Sequence, residues 1–132
     1  MPVTKHIAIA VFVMMFSVSA AHAGSKWTYD LHVYVNADGS GSFDGDIASA
    51  RSGGSSNGYL GCSTITVAGY AQSDCYAYDG ETSGWCITTD PTMVDIISKT
   101  QGDQRVTVYF DSSGWCTYFV ATTSSVTAPK TP

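Results

Sequence analysis

This 132-residue chain has few positive charges, a single glutamate and, past its first twenty-two residues, a single histidine. Each scarcity excludes a chemistry. Six Lys and Arg, nowhere clustered, give no surface for a phosphate backbone or an anionic membrane, so nucleic acid is not an expected partner. Past Val18 no apolar run is long enough to cross a bilayer. His32 is the one imidazole available to a Ser-His-Asp arrangement, and it sits between Asp30 and Tyr34 in a strand-like stretch with no nucleophile beside it. Zinc needs close Cys or His pairs, and the cysteines at 62, 75, 86 and 116 are too far apart in sequence to supply them. Paired carboxylates for glycoside hydrolysis are poorly represented, because Asp38, Asp79, Asp90 and Asp111 occupy turn or cap positions and Glu81 lies in a turn. No catalytic centre and no cofactor are expected.

The first residues carry an address. Lys5 and His6 precede an apolar run over 7–18, and Ala21-His22-Ala23 follows with the small-x-small pattern of a cleavage site. This predicts a signal peptide over 1–23, a single domain over 24–123 and a flexible tail over 124–132. The mature chain is then extracytoplasmic, in the periplasm or secreted, and not inserted in the membrane. No cysteine stands at the cleavage site to carry a lipid. All four cysteines fall in the mature part, and an even number in a small exported domain predicts two disulfides. Of the possible pairings, Cys75–Cys86 across one predicted hairpin, with Cys62–Cys116 as the remainder, is favoured.

Short runs rich in Val, Ile, Thr and Tyr alternate with Gly, Ser, Asp and Asn, the pattern of antiparallel strands joined by tight turns. Strands are predicted at 27–36, 42–50, 59–70, 74–79, 85–89, 104–111 and 115–122, with a surface loop at 51–58. One helix is predicted over 91–101, with Asp90 as N-cap, Pro91 in its first turn and Gly102 beyond its end. The expected fold is all-β: an antiparallel sandwich or partly open barrel of about seven strands, mainly a meander, with one short helix and two disulfides. In layout and composition the chain resembles small exported bacterial β proteins. Ser-Gly-Trp-Cys occurs twice, at 83–86 and 113–116, each time after an Asp that can open a turn.

Register in the last hairpin decides which aromatics face water. A turn over 111–114 with Gly114 as a bulge sets Phe110 opposite Cys116 and Val108 opposite Tyr118. Tyr34, Tyr109, Trp115 and Phe119 would then form an outward patch, able to stack on a sugar ring or anchor a protein. A separate oxygen-rich stretch, with Asn36, Asp38, Asp44 and Asp46 among glycines, is a candidate calcium site that lacks the terminal Glu of an EF-hand. The leading expectation is a small non-enzymatic binding module for a glycan or for an envelope or foreign protein. A secreted hydrolase inhibitor, using the loop at 51–58 or the one before Trp85, is the alternative, and a small secreted hydrolase comes third.

Overall fold

A computed structural model describes residues 30–52 and 58–124. The predicted leader, Trp27 and Tyr29 of the first predicted strand, positions 53–57 of the predicted loop and the predicted tail from 125 lie outside them. Seven strands and two helices follow in the order β1 (His32–Val35), β2 (Gly41–Asp46), α1 (Ile47–Ser52), β3 (Tyr59–Val67), β4 (Tyr70–Tyr78), β5 (Ser83–Thr88), α2 (Pro91–Ser98), β6 (Arg105–Phe110) and β7 (Cys116–Thr122). They form two antiparallel sheets, β1-β2-β6-β7 and β3-β4-β5, stacked as a sandwich and not closed into a barrel.

The core lies between the sheets and is asymmetric. The first sheet contributes the bulk, with Val33, Phe43, Val106, Val108, Phe110 and Phe119 buried. The second meets them with small residues, chiefly Ala77 and Gly84. A Cβ on Gly84 would lie 3.0 Å from Phe43 and 3.2 Å from both Phe110 and Val33, so glycine is what lets the phenyl rings reach the strand. Each fully buried Phe or Val contributes about 1.5–3 kcal/mol relative to exposure. Helix α2 lies against β3, β4 and β7 and buries Val94 and Ile97.

Several expectations are corrected. The predicted strand over 42–50 stops at Asp46, opposite Arg105 at the start of β6; the Ile47 N–H still donates to the Gln104 carbonyl at 3.3 Å, and the chain turns into α1, which sets Ile47 and Ala50 against the core. The predicted strand over 59–70 contains a hairpin. Ala68 and Gly69 both take positive φ (41° and 84°), joining β3 to β4 in a two-residue turn that Ala-Gly signals only weakly. The helix has the predicted N-cap, with Asp90 accepting from the Met93 N–H at 2.9 Å, but it ends at Ser98. Its last turn tightens through the Lys99 N–H to the Ile96 carbonyl and the Thr100 N–H to the Ile97 carbonyl. The meander holds for β3-β4-β5 alone, since β2 is neighboured by β6 across the whole inserted second sheet.

The disulfides are Cys62–Cys75 and Cys86–Cys116, not the favoured pairing. Cys75 stands opposite Cys62 on one side and Cys86 on the other, so alternation of the antiparallel ladder decides between them. Cys62 and Cys75 are a close, non-hydrogen-bonded pair with Cα atoms 4.0 Å apart. Cys75 and Cys86 are then the wider, hydrogen-bonded pair, at about 5.5 Å. Cys86 is left to cross the sandwich and tie β5 to Cys116 at the start of β7.

Candidate functional site

The first sheet places Tyr34, Ser42, Tyr109 and Tyr118 in one row across its outer surface, with Tyr109 and Tyr118 edge to face at 5.3 Å. Tyr109, Tyr118, Thr107, Thr117 and Val120 line an open depression of about 550 Å³. Phe119 is not in this row. It is 8% exposed and packs in the core, opposite Val108. Phe110 does face Cys116 as expected, but a bulge follows, and Thr117 is the extra residue. Cys116 must point inward to reach Cys86, and Phe119, three positions on, is apolar. A strand of period two cannot bury both without an inserted residue, and the insertion turns Tyr118 to water instead.

The next row holds His32, Asp44, Thr107 and Val120. Asp44 is committed: Arg105 donates to it from Nη2 at 2.6 Å and from Nε at 3.1 Å, and the Thr107 hydroxyl donates as well. The calcium candidates do not converge. Asn36 donates to the Ser40 hydroxyl, and Asp38 accepts from the Ser40 hydroxyl and N–H, bonds that hold its carboxyl below the usual aspartate value. Asp46 is buried at the end of β2, in register with Arg105. Among the described residues no three His, Cys, Asp or Glu side chains are grouped to hold a metal ion.

Trp115 belongs elsewhere. The Ile87 N–H donates to the Gly114 carbonyl at 2.9 Å, and Ile87 and Trp115 are bridge partners, which adds Trp115 to the edge of the second sheet on the same side as Ile87. The two Ser-Gly-Trp-Cys segments therefore meet: their cysteines are bonded to each other, and the Trp85 ring lies against Gly114. Both turns are opened by an Asp. Asp111 accepts from the Ser113 and Trp115 N–H groups. Asp79 accepts from Glu81 and Thr82 and, through its other oxygen, from Val33 on β1. Burial alone would raise the Asp79 carboxyl, but the N–H donors of Thr82, Glu81 and Val33 outweigh it and lower the value.

The outer face of the second sheet is the aromatic surface that the sequence reading missed. Its rows are Tyr59, Tyr78 and Ser83, then Gly61, Tyr76 and Trp85, then Ser63, Asp74 and Ile87, with Trp115 alongside. Tyr59 lies 5.9 Å from Tyr76 and 5.6 Å from Tyr78 between ring centroids. The Tyr76 ring covers Gly61, where a Cβ would come within 2.9 Å of its hydroxyl, so the ring lies down on the sheet. Tyr59, Tyr76, Trp85 and Trp115 are 41–51% exposed. Of the twelve exposed large hydrophobic side chains among the described residues, four lie in or beside these rows, and three more, Ile65, Val67 and Tyr70, follow on the same side of β3 and β4. Within these rows Asp74 is the only charged side chain, and it accepts from the Ser63 hydroxyl at 2.6 Å. The signal was present in the cysteines: with 62, 75 and 86 inward, positions 76 and 85 must point out.

Comparison of the chain with protein-family models, with curated proteins and with solved structures finds no match. Among the described residues no helix is long and apolar enough to cross a membrane, and the two disulfides point to an oxidising, extracytoplasmic environment.

Proposed function

We propose that this protein is an exported, non-enzymatic binding module that holds a glycan chain on the outer face of the second sheet. The observation that carries the reading is the set Tyr59, Tyr76, Trp85 and Trp115, half-exposed on a sheet tied by both disulfides while the core closes without them. The negative faces of such rings attract the polarised C–H groups of a pyranose, and the apolar contact adds to this. Tyrosine hydroxyls, Ser63 and Asp74 offer hydrogen bonds to sugar hydroxyls beside the rings. Among the described residues the rows of this face carry no Lys or Arg, which together with a net charge of −5 favours neutral glycans over acidic ones. The predicted leader and the disulfides support export.

The test is affinity electrophoresis through gels containing neutral, N-acetylated or acidic polysaccharides. Retardation by a neutral or N-acetylated glycan is expected, weakened about tenfold or more by Trp85→Ala with the melting temperature held. A retained Kd in both Trp85→Ala and Trp115→Ala would sink the proposal.

A secreted hydrolase inhibitor is the second reading, and one feature favours it. β5 ends opposite Ser73, so residues 65–72 form a two-stranded ribbon that runs past the sheet, clamped near its base by Cys62–Cys75. Inhibition of a hydrolase with the ribbon left uncut would support that reading over the glycan one.

A further inference from the structure

Sheet edges must be managed, because a row of unpaired backbone groups invites another strand. Among the described residues two of the four edges are bonded beyond their own sheet: Asp79 takes the Val33 N–H on β1, and β5 is joined to Gly114 and Trp115 ahead of β7. Helix α2 lies against both β7 and β3, and α1 lies against β3. Among the described residues the outer edge of β3 pairs with no strand. Within the strand itself, from Tyr59 to Val67, there is no charge, no proline and no shift of register to deter pairing.

Which backbone groups of β3 are open follows from the ladder. Cys62 and Cys75 are a close, non-hydrogen-bonded pair, and the two-residue turn closes on Val67 and Tyr70 as a hydrogen-bonded pair. The odd residues 61, 63, 65 and 67 therefore bond to β4, and Leu60, Cys62, Thr64 and Thr66 direct their N–H and C=O groups outward.

We infer that β3 pairs with β3 of a second copy, antiparallel about a two-fold axis at Ser63. Leu60 then faces Thr66 of the other copy and Cys62 faces Thr64, forming about eight backbone hydrogen bonds, two for each of four pairs. On the outer side Tyr59 meets Val67 of the second copy, and Ile65 stands beside Gly61 and the Tyr76 ring that covers it. Three exposed side chains, Tyr59, Ile65 and Val67, are accounted for by this single register. Charge favours it as well. Copies of an acidic chain repel, and this strand is a neutral meeting point. Across it, the two Asp74 carboxylates lie about 14 Å apart, three strand spacings, beyond a screening length of about 8 Å. The pairing joins two aromatic faces into one six-stranded surface, and it covers the ribbon edge that an inhibitor would need free.

The experiment is sedimentation velocity over a concentration series of the oxidised protein, with amide hydrogen exchange at the low and high ends. A concentration-dependent doubling of mass is expected, with the Cys62, Thr64 and Thr66 amides gaining protection only in the dimer. Thr66→Pro removes one outward N–H per copy without touching the β4 ladder and should weaken association about thirty-fold, whereas Thr66→Val leaves it unchanged. A monomer at every concentration overturns the inference. So does a dimer whose new protection lies outside β3, or β3 amides protected only when an extended foreign peptide is added. If the proline variant does not fold, exchange on the unmodified protein decides. Mass and exchange are read without any glycan, so this outcome is separable from the proposed function.

Discussion

Removing each disulfide in turn should separate a tie within one sheet from a tie between two. The double variants are Cys62→Ala with Cys75→Ala, and Cys86→Ala with Cys116→Ala. Their sequence separations are 13 and 30. On the chain-entropy model these loops are worth about 2.9 and about 3.6 kcal/mol. Packing widens the gap. Cys62 is half-buried on an edge strand, whereas Cys86 is fully buried and Cys116 nearly so, at the place where β5 and β7 are drawn together. Replacing that sulfur pair leaves a void in the core, at about 1 kcal/mol or more. The expected losses are then about 3 kcal/mol for the first pair and about 4–5 for the second, out of the 5–15 kcal/mol typical of a domain. At roughly 4–5 °C per kcal/mol, melting temperatures should fall by about 13 °C and about 20 °C. Guanidinium unfolding followed by circular dichroism checks the order, provided the slope with denaturant is unchanged. A larger loss from the Cys62 and Cys75 pair, or a non-reduced peptide map linking Cys75 to Cys86, would refute the reasoning from ladder alternation.

Gly84→Ala sets a methyl group against Phe43, Phe110 and Val33, and should cost about 1–3 kcal/mol in chemical denaturation. Phe119→Ala should lose about 3–4 kcal/mol and Tyr118→Ala less than about 1, and equal effects would contradict the bulge at Thr117. The Asp79 carboxyl has a lowered value when folded, so its contribution is complete above the unfolded carboxylate value near 4 and is lost as pH falls through the folded one. Asp79→Asn should flatten that part of the acid-unfolding curve, with amide exchange rising at Val33 and Thr82.

The fold class was legible because period-two alternation and turn residues agree through most of the chain, and Asp90 with Pro91 marked the start of α2. Legibility failed where a decision is non-local. Ala68-Gly69 forms its turn because β4 has a partner in β3, which no local residue announces. The strand after Ser42 ends opposite Arg105, at the start of β6, where the chain turns into α1. Phe119 and Tyr118 exchange faces because a bulge at Thr117 inserts one residue between Cys116 and the rest of β7, which period-two alternation does not announce. The aromatic surface around Tyr76 and Trp85 was hidden as well: it is assembled from three strands whose order depends on how the cysteines pair.

Because the bonds Cys62–Cys75 and Cys86–Cys116 follow one another along the chain without overlapping, they divide it into two covalently separate halves. A protease cut at the Ala68-Gly69 turn, or anywhere between 87 and 115, leaves the pieces bonded until a reductant is added. A cut at the turn after Asp79 falls between the two loops, and in denaturant the halves then part with both disulfides intact. The short hairpin stapled by Asp79 is thus a link between the two loops whose scission no disulfide can conceal, and three N–H bonds to a single carboxylate hold it closed.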